Sequence, residues 1–408
     1  MRQTLLLLLI FATSLVANAQ KDTTYPRSEW DYAKEILMHT PGEELFDGVI
    51  HPYAGLFEYY FDVDAAAEEH RGYIKALEAN GIKVHTVKEL LNQVPIEKLR
   101  ACAMKTLTYD TKNMPDMTPE ATEEYRQYVI GEMSRADLIR CILLRPTVSL
   151  YKSDLNTGFE AVYTHSPLMN LYFTRDQSIT TPRGHVISFM NSTQRAYETE
   201  IISLCYEQLG VKPILTITGD GRLEGGDYLR GGTISYIGCG MRTNIEAIKQ
   251  IMEADAFGHD TIAVVNDHKW WQMQMHLDTY FNIIDKDLCT LVESRYYAKE
   301  GDPEWVTVDL YTRKNGEKEY KLTRKDVSFI EFLKERGFTI IPISQKDELH
   351  YANNFLTVGP RHILAVGNQS KELQELLDKH GVKVEWIPLE TLIKGYGAAH
   401  CMTQVIRV

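Results

Sequence analysis

Four short clusters hold the side chains that could do chemistry: Asn170-Leu-Tyr-Phe-Thr-Arg-Asp176, Glu224-Gly-Gly-Asp227, His276-Leu-Asp278 and Gly395-Tyr-Gly-Ala-Ala-His-Cys401. Each has a plain structural reading when taken alone. An Asp after a strand caps a turn or helix, Glu-Gly-Gly-Asp makes a loop, and His-x-Asp is a common structural pair. Together they supply a thiol, an imidazole, a carboxylate to orient that imidazole, and further carboxylates. Those are the parts for nucleophilic attack on a cationic carbon. A guanidinium is planar and positively charged, and its natural partner is a carboxylate that accepts two parallel N–H bonds. Two such carboxylates on opposite sides would hold its central carbon facing a thiolate.

The elements that must position these clusters follow from periodicity and turn residues. Glu35–Met38 reads as a strand, Ala65–Ala79 as a helix ending at Asn80-Gly81, Ile82–His85 as a strand and Val87–Leu91 as a helix. Residues 94–150 break this rhythm, with helices over Ile96–Lys105, Pro119–Met133 and Arg135–Leu143 and few strand signals between them, so a helical insertion is expected there. Alternation returns with strands at Val186–Met190, Ile214–Ile217, Thr233–Ile237 and Thr261–Val265, and helices at Arg195–Gln208 and Asn244–Ala254. Further modules follow, with helices at Phe329–Arg336 and Lys371–His380 and strands at Thr339–Pro342, Phe355–Val358, His362–Val366 and Val382–Ile387. No Gly-rich dinucleotide fingerprint accompanies them, so the recurrence predicts pseudo-repeats of one supersecondary unit. Thr312–Lys318 reads as an exposed hairpin loop.

Composition narrows the class. The 408 residues are 44% apolar and 25% charged, enough for a real core. The net charge of −12, without a basic run, excludes nucleic acid as a partner. Arg2, the apolar stretch Leu5–Val16 and Ala17-Asn18-Ala19 before Gln20 match a cleaved export signal over residues 1–19, too short to span a bilayer. Nothing later in the chain is long and apolar enough for stable membrane insertion, so a periplasmic or secreted product of residues 20–408 is expected. The cysteines at 102, 141, 205, 239, 289 and 401 lack the close pairing of zinc sites and the density of a disulfide scaffold. No structural disulfide is predicted.

These motifs bring the chain to a known family: it resembles the arginine deiminases of the guanidine-modifying superfamily, from about Asp31 to Val408. The resemblance is carried by Leu37-Met-His-Thr-Pro-Gly42, Asn170–Asp176, Arg195–Thr199, Glu224–Asp227, Gly238–Thr243, Met275–Asp278, Asn353–Pro360 and His400-Cys-Met-Thr403. It implies an α/β fold, a five-module pseudo-symmetric α/β propeller of ββαβ units with a helical insertion, acting without a metal or an organic cofactor. It also implies roles: Cys401 as nucleophile, His276 as general acid and base, Glu224 as its orienting partner, and Asp176 and Asp278 as the guanidinium carboxylates. Arg195 and Arg242 fall where the family clamps an α-carboxylate, with Asn170 beside them and Phe173 against the methylene stem. The implied partner is a small guanidino substrate, arginine or an arginine-bearing peptide. Oligomeric state is left open.

Three departures from the family pattern bear on specificity. The position five residues before the cysteine, often arginine, is Tyr396, followed by Ala398 and Ala399 in a loop that is often glycine-rich. Gly240 and Met241 replace a common serine and glutamate, and only the first of the usual basic residues near Arg195 is present. Export is a fourth difference, because this activity usually serves cytoplasmic arginine catabolism. The leading expectation is conversion of free L-arginine to citrulline and ammonia. Peptidyl-arginine deimination, amidino transfer and a non-catalytic binding module are the competing readings, and a cysteine protease lacks any recognisable signature here.

Overall fold

The computed structural model describes residues 25–408 except 115 and 315–316. The segment read as an export signal, residues 1–19, lies outside the described residues. The fold is mixed α/β, and its sheets are open, with none closed into a barrel.

Five of the six sheets among the described residues share one connectivity: an antiparallel pair, a crossover containing a helix, then a strand parallel to the second. The first unit is closed by the chain's end, since Gln404–Arg407 runs antiparallel to Glu35–Met38, which pairs in parallel with Lys83–Thr86. The second joins Ser178–Thr181, Gly184–Ile187 and Leu215–Thr216. The third joins Tyr228–Arg230, Ile234–Cys239 and Thr261–Asn266, and is widened by the hairpin Thr307–Thr312 with Lys321–Ser328. The fourth joins Phe281–Asp285, Leu288–Val292 and Thr339–Ile343, and the fifth Leu356–Gly359, His362–Val366 and Lys383–Ile387.

Local chemistry explains where the crossover helices begin. Asp62 accepts from the Ala65 N–H at 2.8 Å to start Val63–Ala79, and Asn244 accepts from the Ala247 N–H at 3.1 Å to start Ile245–Glu253. Each side chain satisfies a backbone donor that the helix leaves open. The helix Lys371–Lys379 buries Leu373 and Leu377, one turn apart, against its own sheet.

Three regions differ from the sequence expectation. The stretch expected to be helical does form the helices Ile96–Thr106, Pro119–Glu132 and Arg135–Leu144, but it also contributes to a sixth sheet. In that sheet Thr108–Asn113 pairs in parallel with Pro146–Lys152, which runs antiparallel to Phe159–His165. Thr108–Asn113 is mostly polar, and Phe159–His165 is exposed with its apolar residues at the surface, so neither shows the alternation of a buried and an exposed face by which a strand is read. The helix expected from Arg195 becomes regular only at Glu198, because Thr193–Arg195 is a 3-10 turn that points Arg195 into the interior. The hairpin Phe281–Asp285 with Leu288–Val292 is buried on both faces, which removes the period-two signal altogether.

Candidate active site

The five units deliver their polar residues from equivalent places, the short segment just before each unit's first strand. Asp176 precedes Ser178–Thr181, Glu224 precedes Tyr228–Arg230, and His276 with Asp278 precedes Phe281–Asp285. Asn354 precedes Leu356–Gly359, and Cys401 precedes Gln404–Arg407. Asn170, Phe173, Asp176, Arg195, Arg242, His276 and Cys401 line one narrow cleft, and Leu56, Gln272, Met275, Gly395 and Tyr396 complete its wall. Glu224 stands behind His276, and Asp278 behind Cys401.

His276 Nε2 donates to Glu224 Oε2 at 2.9 Å, and Glu224 Oε1 accepts from the Asn191 N–H. That leaves His276 Nδ1 without a hydrogen-bond partner, 3.8 Å from Asp176 Oδ1, which is also unpartnered. Burial opposes a charge on this imidazole, but the Asp176 carboxylate and the Glu224 hydrogen bond outweigh it and raise its pKa to about 9. Glu224 is held low against its own burial by the His276 bond and the Arg242 charge.

The Cys401 thiol is 3% exposed. Asn354 Nδ2 donates to its sulfur at 3.1 Å, and the sulfur sits 3.5 Å from Asp278 Oδ2. Burial first, and then the Asp278 and Asp176 charges, push the thiol well above its ordinary value, with the Asn354 bond pulling weakly the other way. Sequence reasoning assigned no role to Asn354. Its Oδ1 accepts from the Ala398 and Cys401 N–H groups at 3.0 and 3.1 Å, so it fixes the loop that presents the thiol. Its place two residues before a unit's first strand, the place Asp176 occupies in its own unit, is the signal that could have found it.

Arg195 is not free. Its Nη1 donates to Asp176 Oδ2 at 2.8 Å, its Nε and Nη2 to Glu198 at 3.1 and 2.9 Å, and its Nη2 also reaches the Asn170 carbonyl. As a clamp on a substrate carboxylate it would have to give up one of these bonds. Arg242 is more available: Nη2 donates to Gln272 Oε1 at 2.9 Å, while its Nε is buried without a partner. Asn170 donates to the Gly55 carbonyl and keeps its Oδ1 unpartnered. Phe173 stacks on Tyr172 with ring centroids 4.0 Å apart and sits under the turn around Gly397. Tyr396, in the left-handed region at φ 67°, forms the rim with Leu56 at φ 61°. Such a backbone costs about 1–2 kcal/mol for a residue with a Cβ.

Asp176, Glu224 and His276 are the one cluster among the described residues with donor atoms close enough to hold a metal ion. The Arg195 guanidinium already supplies a fixed positive charge there, 2.8 Å from Asp176 and 3.9 Å from Glu224.

The two glycines of the Glu-Gly-Gly-Asp cluster have a packing reason. A Cβ on Gly225 would fall 2.0 Å from the Arg175 carbonyl oxygen, and one on Gly226 would fall 2.6 Å from His276 Nδ1. Gly226→Ala is therefore expected to displace the imidazole and lower kcat about 100-fold, the scale of a misplacement near 1 Å. Steady-state kinetics beside a melting curve checks this, and a stability loss with unchanged kcat would contradict it.

All six cysteines are free, five of them buried and Cys239 half-buried. No helix of the described residues is long and apolar enough to cross a membrane.

Relatives define the class and then the family. The chain is 27% identical to an arginine deiminase from Halobacterium salinarum, with 93% of this chain and 96% of that protein covered. It is 24% identical to one from Borrelia garinii, with 92% and 95% covered. Among solved structures, its fold is similar to a dimethylarginine dimethylaminohydrolase from Pseudomonas aeruginosa, a cysteine-to-serine mutant complexed with citrulline. That similarity has TM-score 0.55 at 17% identity and covers 92% of this chain and 100% of the other. The N-terminal domain of ArgZ, a cyanobacterial arginine dihydrolase bound to substrate, gives TM-score 0.55 at 16% identity, over 92% and 97% of the two chains. The class is that of hydrolases acting on guanidino carbon–nitrogen bonds. Within it the chain belongs to the arginine deiminase family, whose model, "Arginine deiminase", matches residues 54–407.

Proposed function

We propose that the protein hydrolyses free L-arginine to citrulline and ammonia through a covalent intermediate on Cys401. One observation carries this reading. Asp176 Oδ1, Asp278 Oδ1 and His276 Nδ1 are buried without partners around a buried thiol. Buried polar atoms rarely stay unpaired, and a guanidinium offers five N–H donors in one plane to satisfy them.

The guanidinium lies between Asp176 and Asp278 with its central carbon over Cys401. Its positive charge offsets the two carboxylates that hold the thiol up, so the thiol loses its proton to solvent when substrate binds. The thiolate attacks the central carbon, and His276, protonated at neutral pH, donates to the departing nitrogen, which leaves as ammonia. An S-alkylthiouronium remains. Water then adds to that carbon while His276 takes back one of its protons, the C–S bond breaks as the added hydroxyl gives its second proton to solvent, and the neutral ureido product leaves with the thiolate restored. Glu224 keeps the imidazole oriented throughout.

At the far end, the unpartnered Arg242 Nε and Asn170 Oδ1 suit an α-carboxylate and an α-ammonium. Arg195 acts one step back, holding Asp176 by its second oxygen so that the first faces the substrate. The small cleft and the 3% exposure of Cys401 favour a free amino acid over a polypeptide. Arg242→Ala should raise KM for arginine about 10-fold or more and cost agmatine, which lacks the carboxylate, clearly less, the loss on agmatine coming from the Arg242 charge 3.9 Å from Glu224. Equal losses on both substrates would remove this assignment.

The repeated ββαβ connectivity supports a five-module propeller around this centre, and the leader read from residues 1–19 supports export to the periplasm or medium. The test of function is ammonia and ureido-product release by residues 20–408, offered L-arginine, agmatine or a peptide ending in arginine. Turnover of arginine is expected. Turnover of the peptide alone would move the assignment to a protein-modifying deiminase, and product formed only with an added amine acceptor would move it to amidino transfer.

A further inference from the structure

Asp278 is held from behind by a second histidine. His400 Nδ1 donates to Asp278 Oδ2 at 2.6 Å, and the opposite ring nitrogen, Nε2, is buried with no hydrogen-bond partner. What Nε2 faces is Glu29 Oε2, at 3.7 Å. Glu29 comes from the start of the described chain. That segment is fastened to the third unit by a bridge between Ser28 and Gly231 and by the Glu29 N–H, which donates to the Arg230 carbonyl at 3.0 Å. The Glu29 side chain reaches inward from this strap, 4% exposed, and accepts from Arg230 Nε and Nη2, both at 2.8 Å, and from the Arg230 N–H at 2.9 Å.

The Glu29–Arg230 pair alone is a buried ion pair of ordinary structural kind. It does not account for Oε2 also facing the His400 ring at 3.7 Å. Burial would raise the Glu29 acid, but Arg230 and His400 together hold it well below the carboxylate range, so the group facing His400 carries a full negative charge. The line therefore runs from Glu29 through His400 to Asp278 Oδ2. It leaves Asp278 Oδ1 as the unpartnered oxygen and stands the carboxylate against the Cys401 sulfur. Arg175, whose Nε donates to the His400 carbonyl at 3.2 Å, fixes the backbone of the same residue. A negative charge beside one nitrogen of an imidazole fixes the orientation of the ring, and with it the donor at the other nitrogen, as carboxylates behind metal-bound histidines do.

We propose that Glu29 is a positioning residue for guanidinium binding, acting through His400 on Asp278. It lies upstream of residues 54–407, the stretch matched by the family model, and that match leaves it unassigned. The inference rests on the reading of Asp278 as a guanidinium carboxylate. One consequence is that the strap is functional: a chain trimmed past residue 29 keeps all four clusters and loses affinity for its substrate.

The experiment is a double-mutant cycle of Glu29→Gln and His400→Ala, read as arginine affinity by calorimetry in the Cys401→Ala protein, residues 20–408. Glu29→Gln is expected to weaken binding about 10- to 100-fold when His400 is present. In the His400→Ala background the same change should cost less than about twofold, because residues that act through one another are not additive. Glu29→Asp, which keeps the charge, should recover part of the loss, and its own cycle decides the matter if Glu29→Gln does not fold. Equal losses in both backgrounds, or no loss at all, would show that Glu29 serves only Arg230 and the fold, and would overturn the proposal. The readout does not need turnover. Coupled affinities without hydrolysis by the wild-type protein would overturn the catalytic reading alone, and hydrolysis with additive affinities would overturn this one alone.

Discussion

Cys401→Ala is expected to lower kcat by a factor on the order of 10⁴ or more while arginine still binds. The size follows from the absence of a substitute: the groups around the sulfur are Asp278, Asp176 and Asn354, none of which can attack a guanidinium carbon as a thiolate can. Binding should survive because the guanidinium partners are carboxylates, and removing the thiol leaves both in place. Ammonia release measured beside calorimetric arginine binding separates the two effects. Turnover that persists at more than a percent of wild type would remove Cys401 from the role of nucleophile. The same environment predicts a sluggish thiol in the protein alone. Because burial and the two carboxylates push Cys401 up, alkylation by iodoacetamide at neutral pH should be far slower than for an ordinary cysteine, and should speed up only in strongly alkaline solution.

His276→Asn is expected to cost about 10²- to 10⁴-fold in kcat, the range for losing a positioned general acid. The wild-type pH profile should show the same group. With its pKa raised to about 9, the imidazole of the free protein carries its proton below that pH and loses it as pH rises through 9, so kcat/KM should fall on the alkaline side with a limb near 9. The acidic partner works in the same direction, since Glu224 stays ionised well into mild acid and keeps the imidazole charged. Removing the orienting charge by Glu224→Gln should move the alkaline limb to lower pH. A limb that stays in place in Glu224→Gln would mean that another group titrates there, and an unchanged kcat in His276→Asn would take His276 out of the proton transfers. Rate profiles from pH 6 to 10 read both variants against wild type.

The secondary elements were legible where the local signal was strong. Lys371–Lys379 announces itself by Leu373 and Leu377 and by the Gly381 turn at φ 67°, and Ile245–Glu253 by its Asn244 cap. Legibility failed where burial is total or the strand is brief. Tyr228–Arg230 has three residues, and Phe281–Asp285 with Leu288–Val292 is buried on both faces, so neither offers a period to read. The sheet built from Thr108–Asn113, Pro146–Lys152 and Phe159–His165 failed for the opposite reason, since its outer strands are too exposed to show a buried face.

At the site, residue types alone named the thiol, the imidazole and the carboxylates, and ordered motifs tied them to one family. That much is determined by sequence, because nucleophile, acid and counter-charge are properties of individual side chains. Which of them meet, and in what state, belongs to the tertiary structure. Arg195 spends its donors on Glu198 and Asp176, Asn354 holds the loop of Cys401 across 47 residues, and Glu29 reaches His400 from the far end of the chain. Only the packing of the units brings such distant residues within a few ångströms. The same packing strips away water, and it is the loss of water together with fixed neighbouring charges that drives the Cys401 thiol up and keeps His276 protonated at neutral pH.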